Sequence, residues 1–295
     1  MKTILGLGEL LWDCFAEERR PGGAPANVAF QANQLGFRGV VCSRVGDDPL
    51  GHELFAFLHS CGLTTEGVQR DPRYPTGTVT VDTTQSDAPE YVIHENVAWD
   101  FLEFTDVLGA LAAEASAVCF GTLAQRNVVT AQTMRELLDA VRPGCLKVYD
   151  VNLRQHFYQR DVVERSFHQA NVVKLNEGEV NVVSRLLGFS EEPPAPIAFA
   201  RWVCETYRVE QVCVTRGDRG CLLVTPDEVV DEIGKPVAVV DTVGSGDAFT
   251  AALIYGVLEG FPLEKQAHFA NAVGGLVATR RGGMPDLKEE LDALK

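Results

Sequence analysis

The chain has 295 residues, 46% hydrophobic and 23% charged, the composition of a globular protein with a substantial core. Its length suits one large α/β domain or two smaller ones. Forty-one Asp and Glu against 26 Lys and Arg leave a formal charge of −15. That excludes nonspecific binding to nucleic acid or to an anionic membrane, either of which needs a compensating basic patch, but not a local pocket for one phosphate-bearing ligand.

The eight cysteines (14, 42, 61, 119, 145, 204, 213, 221) are scattered, without a CxxC pair, and several lie inside apolar runs such as AVCF and QVCVT. A thiol in such a run behaves as a small hydrophobe, so the pattern predicts a reducing compartment and no metal cluster. The start, MKTILGLGEL, reaches Glu9 before a signal-peptide core develops, and no apolar run approaches membrane-spanning length. The expectation is a cytoplasmic protein that partners neither nucleic acid nor membrane.

TILGLG (3–8) reads as the first strand, and Asp13 follows it in GELLWDCF. An aspartate at a strand's carboxyl end accepts hydrogen bonds from ligand hydroxyls or caps a loop. GLGELL lacks the third glycine of GxGxxG, Leu11 standing there, so a dinucleotide fingerprint is rejected. In GGAPANVAFQANQLG (22–36), Gly22 and Gly23 permit close approach to a ligand. A helix over 26–35 then carries Asn27 in its first turn. The amide offers a donor and an acceptor, which suits vicinal hydroxyls; the alternative is a glycine turn and a solvated asparagine. A strand at 39–46 and a helix over 50–59 come next. TGTVTVDTT, QSDAP and EYVIHE then predict a hairpin at about 76–95, either a flap over ligand or a decorative edge.

AVCFG (117–121), LKVYDVN (146–152), VVKLN (172–176), QVCVT (211–215) and CLLV (221–224) read as further strands, with helices over 128–141, 179–187 and 197–207 and an exposed proline-rich loop at 191–196. Strands apolar on both faces that alternate with helices predict a parallel sheet covered on both sides. Polar clusters follow successive strands: Asp150, Asn152 and Arg154 in YDVNLRQHFY, then Asn176, Glu177 and Glu179 in KLNEGEV. Such clusters belong to a site at the sheet's carboxyl edge, where carboxylates can orient magnesium through water. VTRGDRG offers Thr215, Gly217 and Gly220 as a turn that approaches nucleotide phosphates or simply leads into CLLV.

DTVGSGDAFTAAL (241–253) places Gly244-Ser245-Gly246 and Asp247 before a helix apolar nearly all round. Converging N–H groups and the helix N-terminus would make an anion hole, with Asp247 beside it to take a proton from an attacking hydroxyl. The alternative is that Asp247 only caps the helix. No GxxxxGK[ST], HRD, DFG or GxSxG motif occurs, and the six histidines lack metal-ligand spacing.

With GGAPAN near the start, DTVGSGD near the end, and NLR, NEGE and TRGDRG between them in order, the chain resembles the PfkB, or ribokinase-like, carbohydrate kinases over essentially its whole length. The resemblance implies one α/β kinase domain over 1–295, a mostly parallel central sheet with helices on both faces and a small β lid. It implies Asp247 as base and Gly244, Ser245 and Gly246 as the hole for the γ-phosphate. Asp13, Gly23 and Asn27 match sugar-binding positions, with Asn152 and Arg154 beside them. Asn176 and Glu179 match an N-x-x-E element that organises magnesium and phosphate. Thr215, Gly217 and Gly220 match the nucleotide-side turn, and Asn271, in a helix over 263–279, lies near the adenine. Asp241 and the backbone at 277–283 match a monovalent-cation (K⁺) site of some relatives.

Within the family, GELLWDCF, GGAPAN and DVNLR look most like fructokinases. Nine residues separate Asp13 from Gly23, fewer than in many relatives, so the expectation is that the first lid strands are truncated and the 76–95 hairpin covers the sugar. HENVAWD (94–100) carries no Arg or Lys, which favours a neutral sugar over a sugar phosphate, although Arg154 can meet an anion. The resulting expectation is an ATP- and Mg²⁺-dependent kinase of a neutral monosaccharide, D-fructose first. Its rivals are a nucleoside kinase, for which Tyr91, Trp99 and Phe101 would stack on a base, and a non-catalytic sugar sensor, which the intact GSGD counts against. ATP against ADP as donor, and monomer against homodimer, stay open.

Overall fold

All five residues of Thr3–Leu7 are buried, and so are all four of Val172–Leu175. Strands of that kind need helices on both faces, and the chain supplies them. In the computed structural model, which describes residues 1–82 and 90–295, the first elements are β1 (Thr3–Leu7), β2 (Leu11–Cys14), β3 (Arg19–Gly22), α1 (Ala24–Gln34), β4 (Arg38–Gly46), α2 (Pro49–Ser60) and β5 (Val68–Asp71). There follow β6 (Gly77–Asp82), β7 (Glu90–Ile93), α3 (Asp106–Glu114), β8 (Ala117–Gly121), α4 (Val128–Ala140), β9 (Leu146–Asp150), α5 (Arg160–Gln169), β10 (Val172–Asn176) and α6 (Glu177–Leu187). The chain closes with α7 (Pro196–Tyr207), β11 (Gln211–Thr215), β12 (Cys221–Val224), β13 (Val229–Glu232), α8 (Ser245–Leu258), α9 (Leu263–Ala278) and α10 (Lys288–Leu294).

Nine strands form one sheet in the order β13-β12-β11-β10-β9-β8-β1-β4-β5. It is parallel from β5 to β11, and β12 and β13 extend it antiparallel. The helices expected over 26–35, 50–59, 128–141, 179–187, 197–207 and 263–279 are α1, α2, α4, α6, α7 and α9, within two residues at either end. All eight cysteines are free and six are buried. Among the described residues no helix is long and apolar enough to cross a membrane.

The short spacing between Asp13 and Gly23 does not truncate the lid. A tight turn, Phe15 N–H to the Glu18 carbonyl at 2.8 Å, lets β2 and β3 pair antiparallel with Asp13 opposite Arg20. β2 then runs parallel to β6, and β6 pairs antiparallel with β7. The result is a separate four-stranded sheet, β3-β2-β6-β7. The QSDAP turn of the expected hairpin lies outside the described residues.

Two helices bring the N- and C-terminal motifs together. α1 lies directly on the sheet because Gly6 and Gly39 present no side chain to it. A Cβ on Gly6 would stand 2.0 Å from the Pro25 carbonyl oxygen, and one on Gly39 would stand 1.8 Å from that of Ala29. α8 is buried from Ala248 through Ile254, packed in the same apolar cluster as α9 and as Val28, Ala32 and Leu35 of the α1 segment. We expect Gly39→Ala to push α1 off β4 and lower stability by about 1–3 kcal/mol in urea unfolding. An unchanged midpoint would show that α1 does not rest on that contact.

Candidate active site

The residue before α8, Gly244, takes a left-handed conformation (φ 74°), and a Cβ there would stand 2.3 Å from Gly283 Cα. Only glycine fits both demands. No side chain caps α8, so its first amides remain available to an anion. Gly246 lies within this first turn. Ser245 is the exception within the expected anion hole, since its hydroxyl donates to the Gly274 carbonyl (2.8 Å) and its N–H to that of Thr242 (3.2 Å). Asp247 lies in the first turn and not at the cap, which sets the capping alternative aside.

Asp247 Oδ2 accepts a hydrogen bond from Asn27 Nδ2 at 2.7 Å. Asn27 is buried, not solvated, and among the described residues its Oδ1 has no partner. Asp247 is half-buried at the mouth of the site. Desolvation by the surrounding protein, and then the charge of Asp150, raise its pKa; the Asn27 hydrogen bond, Lys174 and Arg154 pull the other way.

Beneath the loop lies a buried ion pair. Lys174, on β10, holds both oxygens of Asp150, the last residue of β9, at 3.1 and 3.0 Å. Thr250 of α8 donates its hydroxyl to the same carboxylate at 2.9 Å. Lys174 Nζ is 3.2 Å from where a Cβ on Gly246 would stand, so the ammonium sits directly under the glycine loop. Burial alone would lower its pKa, but Asp150, Glu179 and Asp247 together raise it. Asn176 and Glu179 form a reciprocal cap at the start of α6. Asn176 Oδ1 accepts from Glu179 N–H (2.9 Å), and Glu179 Oε2 accepts from Asn176 N–H (2.8 Å). Glu179 Oε1 accepts from Leu153 N–H (2.8 Å), which ties α6 to the loop after β9. Burial raises the Glu179 pKa, against the pull of Lys174.

The side of the site that carries Asp13 and Asn152 is more acidic than the sequence suggests. Asp13, on β2, has its pKa raised to about 6 by burial, against Arg154 and Arg20. Glu9 is buried and lines a small enclosed cavity with Asp150 and Asn152, with room for about one water. Burial raises its pKa to about 7, only partly offset by backbone N–H groups and Arg154. Arg154 is the exposed cation that faces Glu9, Asp13 and Asp247. Asn152 holds a left-handed backbone (φ 41°) beside them. Gly23 precedes α1, but the room it makes is taken by the protein itself, since a Cβ would stand 2.3 Å from the Glu9 carbonyl oxygen.

On the other side, Thr215 ends β11 opposite Asn176 of β10, and Gly217–Gly220 form the turn into β12. The segment is therefore a hairpin turn as well as part of the carboxyl edge. Arg219 of that turn pairs with Glu177. Asn271, on α9, is half-buried, and its Nδ2 is an orphaned buried donor among the described residues. Val237, Val239 and Val240, in the segment before the glycine loop, are exposed apolar side chains. Val237 lies against α9, its Cγ1 3.5 Å from where a Cβ on Gly275 would stand.

Asp241 does not lie open to an ion. Its Oδ1 accepts from Val243 N–H (3.0 Å), and its Oδ2 accepts from Gly282 N–H (3.1 Å) and Arg20 Nη1 (3.1 Å). The aromatics proposed for base stacking are mostly engaged. Trp99 is buried with the Arg126 guanidinium 4.0 Å from its ring, Phe101 stacks on Tyr74 at 3.7 Å, and Tyr91 alone of the three is exposed. HENVAWD itself carries no Arg or Lys, but Arg126 lies against it, donating to the His94 carbonyl (2.6 Å) and pairing with Asp100 at 2.7 Å. Sequence reasoning missed Lys174, Glu9, Thr250, Arg20 and Arg126. The signal for Lys174 was present: a lysine inside an apolar strand needs a carboxylate beside it.

A model of the pfkB family carbohydrate kinases matches residues 4–290. An uncharacterized sugar kinase of Pyrococcus horikoshii is 30% identical over 298 residues, 95% of this chain and 91% of its own. Its crystal structure superposes with a TM-score of 0.87, covering 99% and 97% of the two chains. A fructokinase of Salmonella typhimurium is 30% identical over 285 residues, 92% of this chain and 90% of that one. The fructokinase structure from Xylella fastidiosa, at 23% identity, has the same fold (TM-score 0.85, 99% and 97% covered). The fold of this chain is the ribokinase-like one these proteins share.

Because the Glu9 carboxyl keeps its proton to about pH 7 in the fold and to about 4.5 when unfolded, the unfolded chain gives up that proton first as pH rises. Stability should fall from about pH 4.5 to about pH 7, by about 3 kcal/mol at roughly 1.36 kcal/mol per pKa unit. Glu9→Gln should remove most of this fall and exceed the parent in stability at pH 8. Parallel urea-unfolding curves for the two proteins across that range would refute it.

Proposed function

The chain belongs to the pfkB family of carbohydrate kinases, and from that premise we propose that it transfers the γ-phosphoryl group of ATP to a hydroxyl of a neutral monosaccharide, D-fructose first, with Asp247 as general base. The observation that carries the reading is the 2.7 Å hydrogen bond from Asn27 to Asp247. It joins the residue suited to vicinal hydroxyls to the carboxylate beside the α8 N-terminus, across 220 residues of sequence.

In this reading Asp13, Gly23, Asn27 and Asn152 hold the sugar, and Arg154 orients it from the open side. Asn27 keeps Asp247 turned toward the attacking hydroxyl, whose proton passes to the Asp247 carboxylate as its oxygen bonds to phosphorus and the bond to the ADP oxygen breaks. Gly244 and Gly246, through backbone at the helix start, receive the charge that spreads over the phosphoryl oxygens, and Ser245 holds the loop through Gly274 and Thr242. Lys174 lowers the cost of keeping Asp247 ionised. Because the side-chain oxygens of Asn176 and Glu179 already accept the Glu179, Asn176 and Leu153 N–H groups, a divalent ion, Mg²⁺ first, would meet them only through its water shell and would neutralise phosphate charge. Thr215, Gly217 and Gly220 border the phosphates, and Asn271 faces the base.

Several findings support the finer points. The P. horikoshii relative has been crystallised in complex with ATP. Fructokinases of S. typhimurium and of rice match at 30% and 28% identity. The Arg126 charge is already taken by Asp100, which favours a neutral substrate. We place the chain in one catalytic unit, with β6 and β7 in its lid, and place the protein in the cytoplasm on its unpaired thiols.

ADP release from Mg-ATP, measured with fructose, ribose, 2-keto-3-deoxygluconate, fructose phosphates and adenosine, should respond most to fructose. Asp247→Asn should lower kcat by about 10²–10⁴-fold and leave fructose affinity within a few-fold. Near-parental turnover in that variant would remove Asp247 as the base. Turnover confined to a phosphosugar or acid sugar would overturn the neutral-substrate reading.

A further inference from the structure

A monovalent cation bound at Asp241 would be held by oxygens, the carboxylate and nearby backbone carbonyls. The residues present do not fit that arrangement. Both Asp241 oxygens already accept backbone N–H groups, and Oδ2 also takes Arg20 Nη1 at 3.1 Å. Among the described residues four of the seven carbonyls of 277–283 also accept hydrogen bonds, that of Thr279 from Arg280 Nη1 (3.4 Å). That of Val277 accepts Arg280 N–H (2.9 Å), and that of Ala278 accepts both Val240 and Asp241 N–H (2.9 and 3.3 Å). That of Gly283 accepts the Gln31 side chain (3.2 Å). The positive charge at this carboxylate is a guanidinium, and it comes from the lid.

Arg20 is set up for that position. Glu18 pairs with its other nitrogen, and its Cζ lies 4.8 Å from the Phe15 ring centroid. It stands opposite Asp13 in the β2–β3 ladder. One side chain thus links the strand that carries a sugar-side carboxylate to the first residue of the DTVGSG loop. We propose that Arg20 is a positioning residue that does for Asp241 what a bound monovalent cation would do, so that the loop is ordered by the lid and the protein needs no such ion.

The proposal rests on the kinase reading, so its test has an arm that needs no turnover. Thermal unfolding and ATP affinity of the parent and of Arg20→Ala are measured in potassium, sodium and tetramethylammonium chloride at equal ionic strength, with ADP release in parallel. The parent should show no preference for potassium, within about 1.5-fold in affinity or rate. Arg20→Ala should bind ATP several-fold more weakly, and millimolar guanidinium, more than potassium, should restore much of the loss, whereas Arg20→Lys should lose less than Arg20→Ala. A parent several-fold better in potassium than in sodium would overturn the proposal. So would an Arg20→Ala variant that matches the parent, or that guanidinium does not rescue. A protein that binds ATP with this pattern but phosphorylates no sugar would sink the kinase reading and leave the Arg20 assignment standing.

Discussion

Charge at the carboxyl edge of the sheet is the constraint around which the rest is arranged. Asp150, Glu179 and Asp247 converge there, and Lys174 is the buried cation that all three feel. A lone carboxylate so placed would take up a proton. The ammonium therefore allows a buried acidic cluster to persist beneath a loop shaped for anions. Breaking the pair from one side would strand a charge, at about 3–5 kcal/mol. Thr250 and the Asn176–Glu179 cap share the work by filling the remaining acceptor sites of Asp150 and Glu179.

The architecture delivers this cluster through parallel strands and glycine contacts. β9 and β10 are neighbours in register, Lys174 opposite Asp150, so the ion pair follows from strand pairing. α1 and α8 bring Asn27 and Asp247 to the same edge. The lid then adds residues from a different sheet, Asp13 and Arg20, whose positions depend on a turn of a few residues between β2 and β3.

Much of this was legible in the residues. The seven buried strands stood out because each is apolar on both faces, and the two glycine motifs marked where backbone must come close. β2 and β3 did not stand out. LWDC and RRPG lack a period-two apolar pattern, and it is pairing with β6 that makes the lid of them. α5, with the sequence RDVVERSFHQ, carries enough charge to hide an apolar face of Val162, Val163 and Phe167. Arg20 and Asp241 are 221 residues apart, and no local pattern announces a pair of that kind. Lys174 lies inside an apolar strand, whereas the polar residues that mark the site in the sequence follow it.

The pH dependence of kcat/KM for the parent and for Lys174→Met, with the best sugar of the panel, tests the charge balance most directly. Lys174 lowers the pKa of Asp247, and a base must be ionised to act, so activity is lost as pH falls through that pKa. Removing the ammonium should move the acid limb to higher pH by about one unit or more. An acid limb that stays where it is, in a variant that still unfolds cooperatively, would contradict the account and show that Asp247 owes its charge to something other than Lys174.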